Sequence, residues 1–134
     1  MSDTKTFRYV GESVNRLEDQ RFLIGAGKFV DDVSLPGMTH MAILRSPHAH
    51  ARIKTIDLSA AQKMPGIIDV FAASDIKIDM PEIPLRLAPF KGFEKFLQKP
   101  IAVDKVRYVG EPIAVIIAEN RYLAEDALAE ITLD

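Results

Sequence analysis

Runs of apolar residues along the chain predict six strands. The most continuous run, residues 113–118, has six apolar side chains in succession, which is typical of a central strand covered on both faces of a sheet. Four further strands are predicted from apolar and β-branched runs at residues 38–45, 51–58, 67–72 and 105–108, and a last strand begins at residues 131–134.

Start and stop signals predict short helices between these strands. The first covers residues 17–24 and is closed by Gly25. Ser59 is predicted to cap the second helix, and Asn120 to cap a third that covers residues 121–131. The pattern therefore predicts an α+β fold with a mixed sheet and two or three short helices.

A long irregular loop is expected at about residues 75–99, where three prolines, a glycine and several lysines interrupt the apolar pattern. Loops of this length tend to be functional or to contact a partner. With 134 residues, 48% of them hydrophobic, the chain has enough apolar material for one core. We therefore predict a single domain over residues 1–134.

Composition excludes several classes of function. The net charge is −2 without a basic stripe, so we expect no nucleic-acid partner. The chain has no cysteine and therefore no ligands for iron–sulfur clusters or zinc–thiolate sites. The first residues are polar and lack the features of a signal peptide, and a six-residue apolar run cannot span a membrane. These features predict a cytoplasmic protein.

Two local motifs resemble ligand sites only superficially. His48 and His50 would share one face of a strand, but Pro47 breaks that strand and no carboxylates stand beside them, so we expect turn histidines and not metal ligands. Residues 25–28 combine two glycines with a lysine, but a phosphate-binding loop needs four residues between its glycines. A helix stop followed by a turn is the better interpretation.

The remaining polar candidates favour structural roles. Asp31 and Asp32 are neighbours on a predicted extended segment, so their carboxylates point apart and cannot act as a catalytic pair. Arg45 and Arg52 flank a predicted turn, where salt bridges are expected more than binding of an anion or of a partner's carboxylate. Ser46 lies outside any nucleophile elbow. The residues alone thus predict no catalytic, cofactor-binding or metal site.

Nearly the whole chain resembles the first domain of the large, molybdopterin-binding subunit in the xanthine dehydrogenase and aldehyde oxidase family. The bacterial members that resemble carbon monoxide dehydrogenase are the most similar. This region of the family is the α/β hammerhead domain. The matching segments are residues 10–19, 21–27, 31–32, 36–38, 44–53, 57–61, 65–66, 106–115 and 121–127.

The resemblance implies a non-catalytic structural or assembly domain of a molybdenum hydroxylase. It implies a molybdopterin cofactor in the parent enzyme, with iron–sulfur clusters and FAD on other domains or subunits, which would be the partners of this chain. No catalytic, cofactor or metal residue carries over, because the family's cofactor motifs have no counterpart here, and we expect the runs at 44–53 and 106–115 to form turns, strands and docking surfaces. The stop inside a predicted strand favours a fragment lacking its cofactor domain.

Two other functions stay open from the sequence. A stand-alone domain could bind a small molecule or peptide through residues 76–99 and the turn at Ser46 and Pro47. A weaker third hypothesis is a catalytic metal domain that uses His40, His48 and His50.

Overall fold

The computed structural model describes residues 13–84 and 91–134. The chain divides into two units, Met1–Pro36 and Gly37–Asp134. The single domain predicted over residues 1–134 stays a prediction.

The first unit contains one short helix and one tight turn in its described part. Helix α1 (Asp19–Leu23) is shorter than predicted and ends at the predicted glycine. Gly25 adopts a φ of +73°, and the next backbone N–H, of Ala26, donates to the carbonyl of Arg21 at 2.9 Å. This confirms the helix stop, because a positive φ strains any residue with a side chain. A 3₁₀ turn follows at Val30–Asp32.

The described part of the second unit holds seven strands and two short helices. The strands are β1 (His40–Arg45), β2 (Ala51–Arg52), β3 (Ile56–Asp57), β4 (Ile67–Ala72), β5 (Lys105–Val106), β6 (Pro112–Ala118) and β7 (Thr132–Leu133). The helices are α2 (Ser59–Gln62) and α3 (Arg121–Asp126), and 3₁₀ turns lie at Ala73–Asp75, Glu94–Phe96 and Ala127–Glu130.

The strands form three small sheets whose described pairings are all antiparallel. The largest has the order β1-β6-β4, and β2 pairs with β5 and β3 with β7. The predicted central strand is confirmed, because β6 lies between two partners and buries most of its side chains on both faces. The α+β class with a few short helices is also confirmed.

The main core lies between one face of the three-stranded sheet and the two helices. Ile116 of β6 and Val70 of β4 are neighbours in the register and face Ala61 of α2 and Ala124 of α3. The small side chains on both helices let their backbones approach the sheet closely. A second, smaller cluster consists of the buried residues Ala102, Val106 and Ile113.

The strand predicted at residues 51–58 is wrong as one element, because it divides into β2 and β3. Between them the backbone N–H of Ile53 donates to the carbonyl of Asp104 at 2.9 Å, and that of Lys54 to the carbonyl of Asp134 at 2.8 Å. The segment thus changes partner from one part of the chain to another. Local propensity contains no information about such a change.

The expected cap of α2 is also wrong. Ser59 is the first residue of the helix, and its backbone N–H donates to a carboxylate oxygen of Asp57 at 2.9 Å. The aspartate two residues earlier thus accepts from the first N–H of the helix, and the helix begins one residue earlier than a capping role for Ser59 requires. By contrast, Asn120 caps α3 as predicted, accepting from the backbone N–H of Leu123 at 3.0 Å. Helix α3 is shorter than predicted, and its last turn is 3₁₀.

The predicted loop at residues 75–99 is described only in part, since residues 85–90 lie outside the described residues. The backbone N–H of Ile83 donates to the carbonyl of Gln98 at 2.8 Å, which joins the two described sides of the loop. Over residues 13–84 and 91–134, no helix is long and apolar enough to cross a membrane.

Candidate functional site

Two turns of the second unit meet at one end of the three-stranded sheet. Residues 46–50 follow β1 and residues 107–111 precede β6, and we call them the paired turns. The backbone N–H of Ser46 donates to the carbonyl of Glu111 at 2.9 Å, and that of Gly110 donates to the carbonyl of Ser46 at 2.8 Å. These bonds extend the β1–β6 pairing beyond the strand ends, so each turn fixes the other.

The Ser46 side chain closes the first turn on itself. It is 3% exposed, and its hydroxyl accepts from the backbone N–H of His48 at 3.0 Å and donates to the carbonyl of the same residue at 2.8 Å. Both hydrogen-bonding directions of the hydroxyl are therefore used locally. The arrangement holds a turn and leaves no activated nucleophile.

Glu111 is a buried carboxylate that holds the second turn. It is 1% exposed, and one of its oxygens accepts from the backbone N–H of Arg107. The other oxygen lies 3.5 Å from the Arg107 guanidinium, which is itself partly exposed. A buried carboxylate is costly unless it is paired and hydrogen-bonded, and Arg107 supplies both kinds of contact.

Gly110 allows the two turns to approach each other. Its φ of +91° lies in the region that glycine tolerates and side-chain-bearing residues avoid. Its carbonyl accepts from the Arg45 guanidinium at 2.8 Å. Arg45 thus reinforces the same junction from β1.

A cavity of about 480 Å³ lies beside the paired turns. It is bounded by the end of β1, by β2 and by the last residues of the chain. Its lining residues are Leu44, Arg45, Ser46, Pro47, His48, Ala51, Arg52, Ile53, Val106, Ile113, Ile131, Leu133 and Asp134. Most of these side chains are apolar, and the charged ones include two arginines.

The histidines and the glycine-rich segment occupy ordinary structural positions. His40 begins β1, while His48 and His50 are exposed on the first of the paired turns. Within the described parts of the chain, no group of three or more histidines, aspartates and glutamates could hold a metal ion. At Gly27 a Cβ atom would lie 2.7 Å from the ring of Phe22, so a larger residue there would have to displace that ring.

The acidic pair takes part in the 3₁₀ turn of the first unit. The Asp32 carboxylate accepts from the backbone N–H of Phe29 at 2.9 Å, which closes that turn. Among the described residues, however, neither arginine forms the expected salt bridge. Arg45 bonds a carbonyl, and Arg52 forms no ion pair or side-chain hydrogen bond with any described residue.

The described part of the first unit exposes its apolar side chains, a feature that the sequence interpretation missed. None of the residues 13–36 is buried. Phe22 and Phe29 stack at 5.7 Å between ring centroids, but this contact leaves most of the segment open. The exposed large apolar residues are Val14, Leu17, Leu23, Ile24, Phe29, Val30, Val33 and Leu35. The sequence signal for this exposure is the number of apolar residues in a segment whose single short predicted helix cannot cover them.

Comparisons with known proteins agree on one family. Residues 24–134 match the family model described as aldehyde oxidase and xanthine dehydrogenase, a/b hammerhead domain. The chain is 40% identical over 129 residues to the nicotine 6-hydroxylase large subunit of Paenarthrobacter nicotinovorans, covering 96% of this chain and 16% of that protein. It is 41% identical over 119 residues to the carbon monoxide dehydrogenase large chain of Afipia carboxidovorans, covering 89% and 14%.

A solved structure shows the same fold at similar identity. The crystal structure of quinoline 2-oxidoreductase from Pseudomonas putida 86 aligns with a TM-score of 0.75 and 40% identity, covering 92% of this chain and 16% of that one. The chain therefore spans about a sixth of the length of these relatives.

Proposed function

Because the chain belongs to the aldehyde oxidase and xanthine dehydrogenase family of molybdenum hydroxylases, as its a/b hammerhead domain, we propose that it is a non-catalytic assembly domain. In this role it docks on the remainder of a large oxidoreductase subunit. The chemistry takes place on that remainder and on its partner subunits. The cytoplasmic location predicted from the sequence belongs to the same proposal.

The exposed apolar surface of residues 13–36 carries this proposal. Eight large apolar side chains in that segment are exposed, and no residue of the segment is buried. A concentration of exposed apolar side chains in one segment favours contact with another protein surface. Covering one such side chain contributes about 1.5–3 kcal/mol, which offsets part of the entropic cost of association.

The described residues do not fit a molybdopterin site, and we assign that cofactor to the rest of the parent enzyme. Binding a pterin needs many converging polar donors and acceptors. In residues 13–84 and 91–134, every buried side-chain nitrogen or oxygen already has a hydrogen-bond partner. The cavity beside the paired turns is mainly apolar. Iron–sulfur and FAD components belong to further partners in this proposal.

A binding experiment with the remainder of the parent subunit tests the docking role. The remainder that this proposal requires is expressed separately for the experiment. We expect the purified chain to bind it, as measured by isothermal titration calorimetry. The double variant Leu17→Ser, Leu23→Ser should bind about tenfold more weakly or worse, since it removes two exposed apolar side chains from the contact.

A control is Tyr122→Ser, because Tyr122 is also a large, highly exposed side chain and lies on α3 of the second unit. It should leave the affinity within about twofold of the original. Equal losses for the control and the double variant, or no binding of the unchanged chain, would overturn the proposal. A stop codon directly after this chain, without a cofactor-domain gene nearby, would contradict it as well.

A further inference from the structure

The cavity beside the paired turns has a floor that continues the second core cluster. Val106 and Ile113 are buried in that cluster and also line the cavity. Ala51, Ile53 and Leu133 pack against the cluster but are only partly buried. The apolar cluster is therefore incomplete on the cavity side, and an inserted apolar side chain would extend it.

The charges around this floor are predominantly positive. The Arg52 guanidinium has no ion pair or side-chain hydrogen bond among the described residues, and Arg45 uses a single nitrogen in its bond to the Gly110 carbonyl. The one acidic lining residue, Asp134, already pairs with Lys54 at 3.2 Å. A carboxylate entering beside the arginines would thus meet uncompensated positive charge.

Two of the strands that line the cavity have a side without a strand partner. Strand β2 pairs only with β5, and β7 pairs only with β3, so each has one side without a partner among the described strands. Arg52 belongs to β2 and Leu133 to β7, and both line the cavity. A free strand edge offers backbone donors and acceptors to an incoming segment, and neighbouring pockets select its side chains.

We propose that this cavity receives a polypeptide segment of the remaining large subunit, in which an apolar side chain fills the floor and an adjacent carboxylate pairs with Arg52. This inference rests on the proposed docking function and assigns it a second contact, separate from residues 13–36. A segment tethered in the same protein would meet the cavity at a high effective concentration, so the individual contact can be weak.

Short capped peptides provide the test, with the 134-residue chain labelled with ¹⁵N and observed by NMR. The probes are acetyl-Leu-Asp-Leu-amide and its analogues with Asn or Lys in place of Asp. The acidic peptide should produce saturable shifts at Ala51, Val106 and Leu133. The Asn analogue should bind more weakly, and the Lys analogue should not bind.

Variants locate the contact. Arg52→Gln should weaken binding of the acidic peptide about two- to fivefold, as expected for an exposed charge pair. The control Lys77→Gln removes one positive charge from an exposed position outside the cavity and should change nothing. Ala51→Leu should fill part of the cavity and abolish the shifts, while the rest of the spectrum shows that the fold is retained.

Several results would overturn the inference. These are no saturable shift at about 10 mM peptide, equal binding of the Lys analogue, or equal effects of the Arg52 and Lys77 variants. Tighter binding of hexanoate than of the acidic peptide would assign the cavity to a small acid and reject the peptide segment. A negative peptide titration would leave the proposed docking through residues 13–36 intact. Failure of that docking would instead appear as unchanged binding of the Leu17→Ser, Leu23→Ser variant to the remainder of the subunit.

Discussion

Strand β6 and the segment at residues 13–36 contain similar apolar side chains, but β6 buries most of them and the segment exposes them. In β6, Ile116 is 0% exposed and lies between two partner strands. In the segment, Leu17 is fully exposed, and no residue is buried. The difference shows that apolar content by itself does not make a core. An apolar side chain must also have neighbours that the fold brings to it.

The physical reason lies in the length and pairing of the local elements. Helix α1 has five residues, which is too short to be stable alone or to cover an apolar face. Strand β6 receives β1 on one side and β4 on the other, and helices cover one face of the resulting sheet. One region therefore supplies its own core, and we propose that the other obtains its cover from a partner.

The largest expected effect is a stability loss on shortening Ile116. The change Ile116→Ala leaves a cavity in the main core and should lower the free energy of unfolding by about 2–5 kcal/mol. The matched change Leu17→Ala in the exposed segment should alter it by less than about 0.5 kcal/mol. Urea unfolding of the isolated chain measures both. A loss below about 1 kcal/mol for Ile116→Ala would remove the contrast between the two regions.

The next largest loss of stability is expected in the paired turns, which are held by polar contacts and not by apolar packing. Glu111→Ala removes the acceptor for the Arg107 backbone N–H and the partner of its guanidinium. We expect a loss of about 1–3 kcal/mol, because polar groups are left without partners. Glu125→Ala, at an exposed position on α3, is the control and should be nearly neutral. Equal effects of the two changes would show that Glu111 is not held as described.

The sequence predicts strand β6 better than it predicts the turn before that strand or the strands at residues 51–58. The run at 113–118 is apolar without interruption, and it predicts a buried central strand correctly. The burial of Glu111 has only one local signal, its position between glycine and proline before that strand. The division of residues 51–58 into β2 and β3 depends on carbonyls of Asp104 and Asp134, far away along the chain. Such pairings are fixed by tertiary contacts, which local patterns do not contain.

Helix capping gives a smaller contrast between the two units. Asn120 accepts from the Leu123 backbone N–H at the start of α3, whereas α1 begins without a side-chain cap. Asn120→Ala should therefore cost about 1 kcal/mol. Asn15→Ala, in the exposed segment before α1, should cost little. Thermal unfolding of the two variants measures the difference, and equal melting temperatures would argue against a capping role for Asn120.

The smallest effect is expected at the start of α2, where Asp57 is exposed. The hydrogen bond from the Ser59 backbone N–H to its carboxylate, followed by the contact with the Ser59 side chain, lowers the pKa of Asp57 below its ordinary value. Because the folded pKa is lowered, the ionised carboxylate stabilises the folded chain above the unfolded pKa. That contribution disappears as the pH falls through the lowered folded pKa.

NMR titration of the Asp57 side-chain carbon measures this shift, and two variants separate its causes. Ser59→Pro removes both the donating N–H and the hydroxyl at the first helical position, where proline is tolerated, and should return the pKa of Asp57 towards its ordinary value. Ser59→Ala keeps the backbone donor and should raise the pKa only slightly, because the backbone bond is the larger cause. A rise in Ser59→Ala as large as that in Ser59→Pro would mean that the hydroxyl, and not the backbone N–H at the helix start, holds the carboxylate. In that case α2 would begin, like α1, without a side chain accepting from its first turn, and this contrast between the two units would disappear.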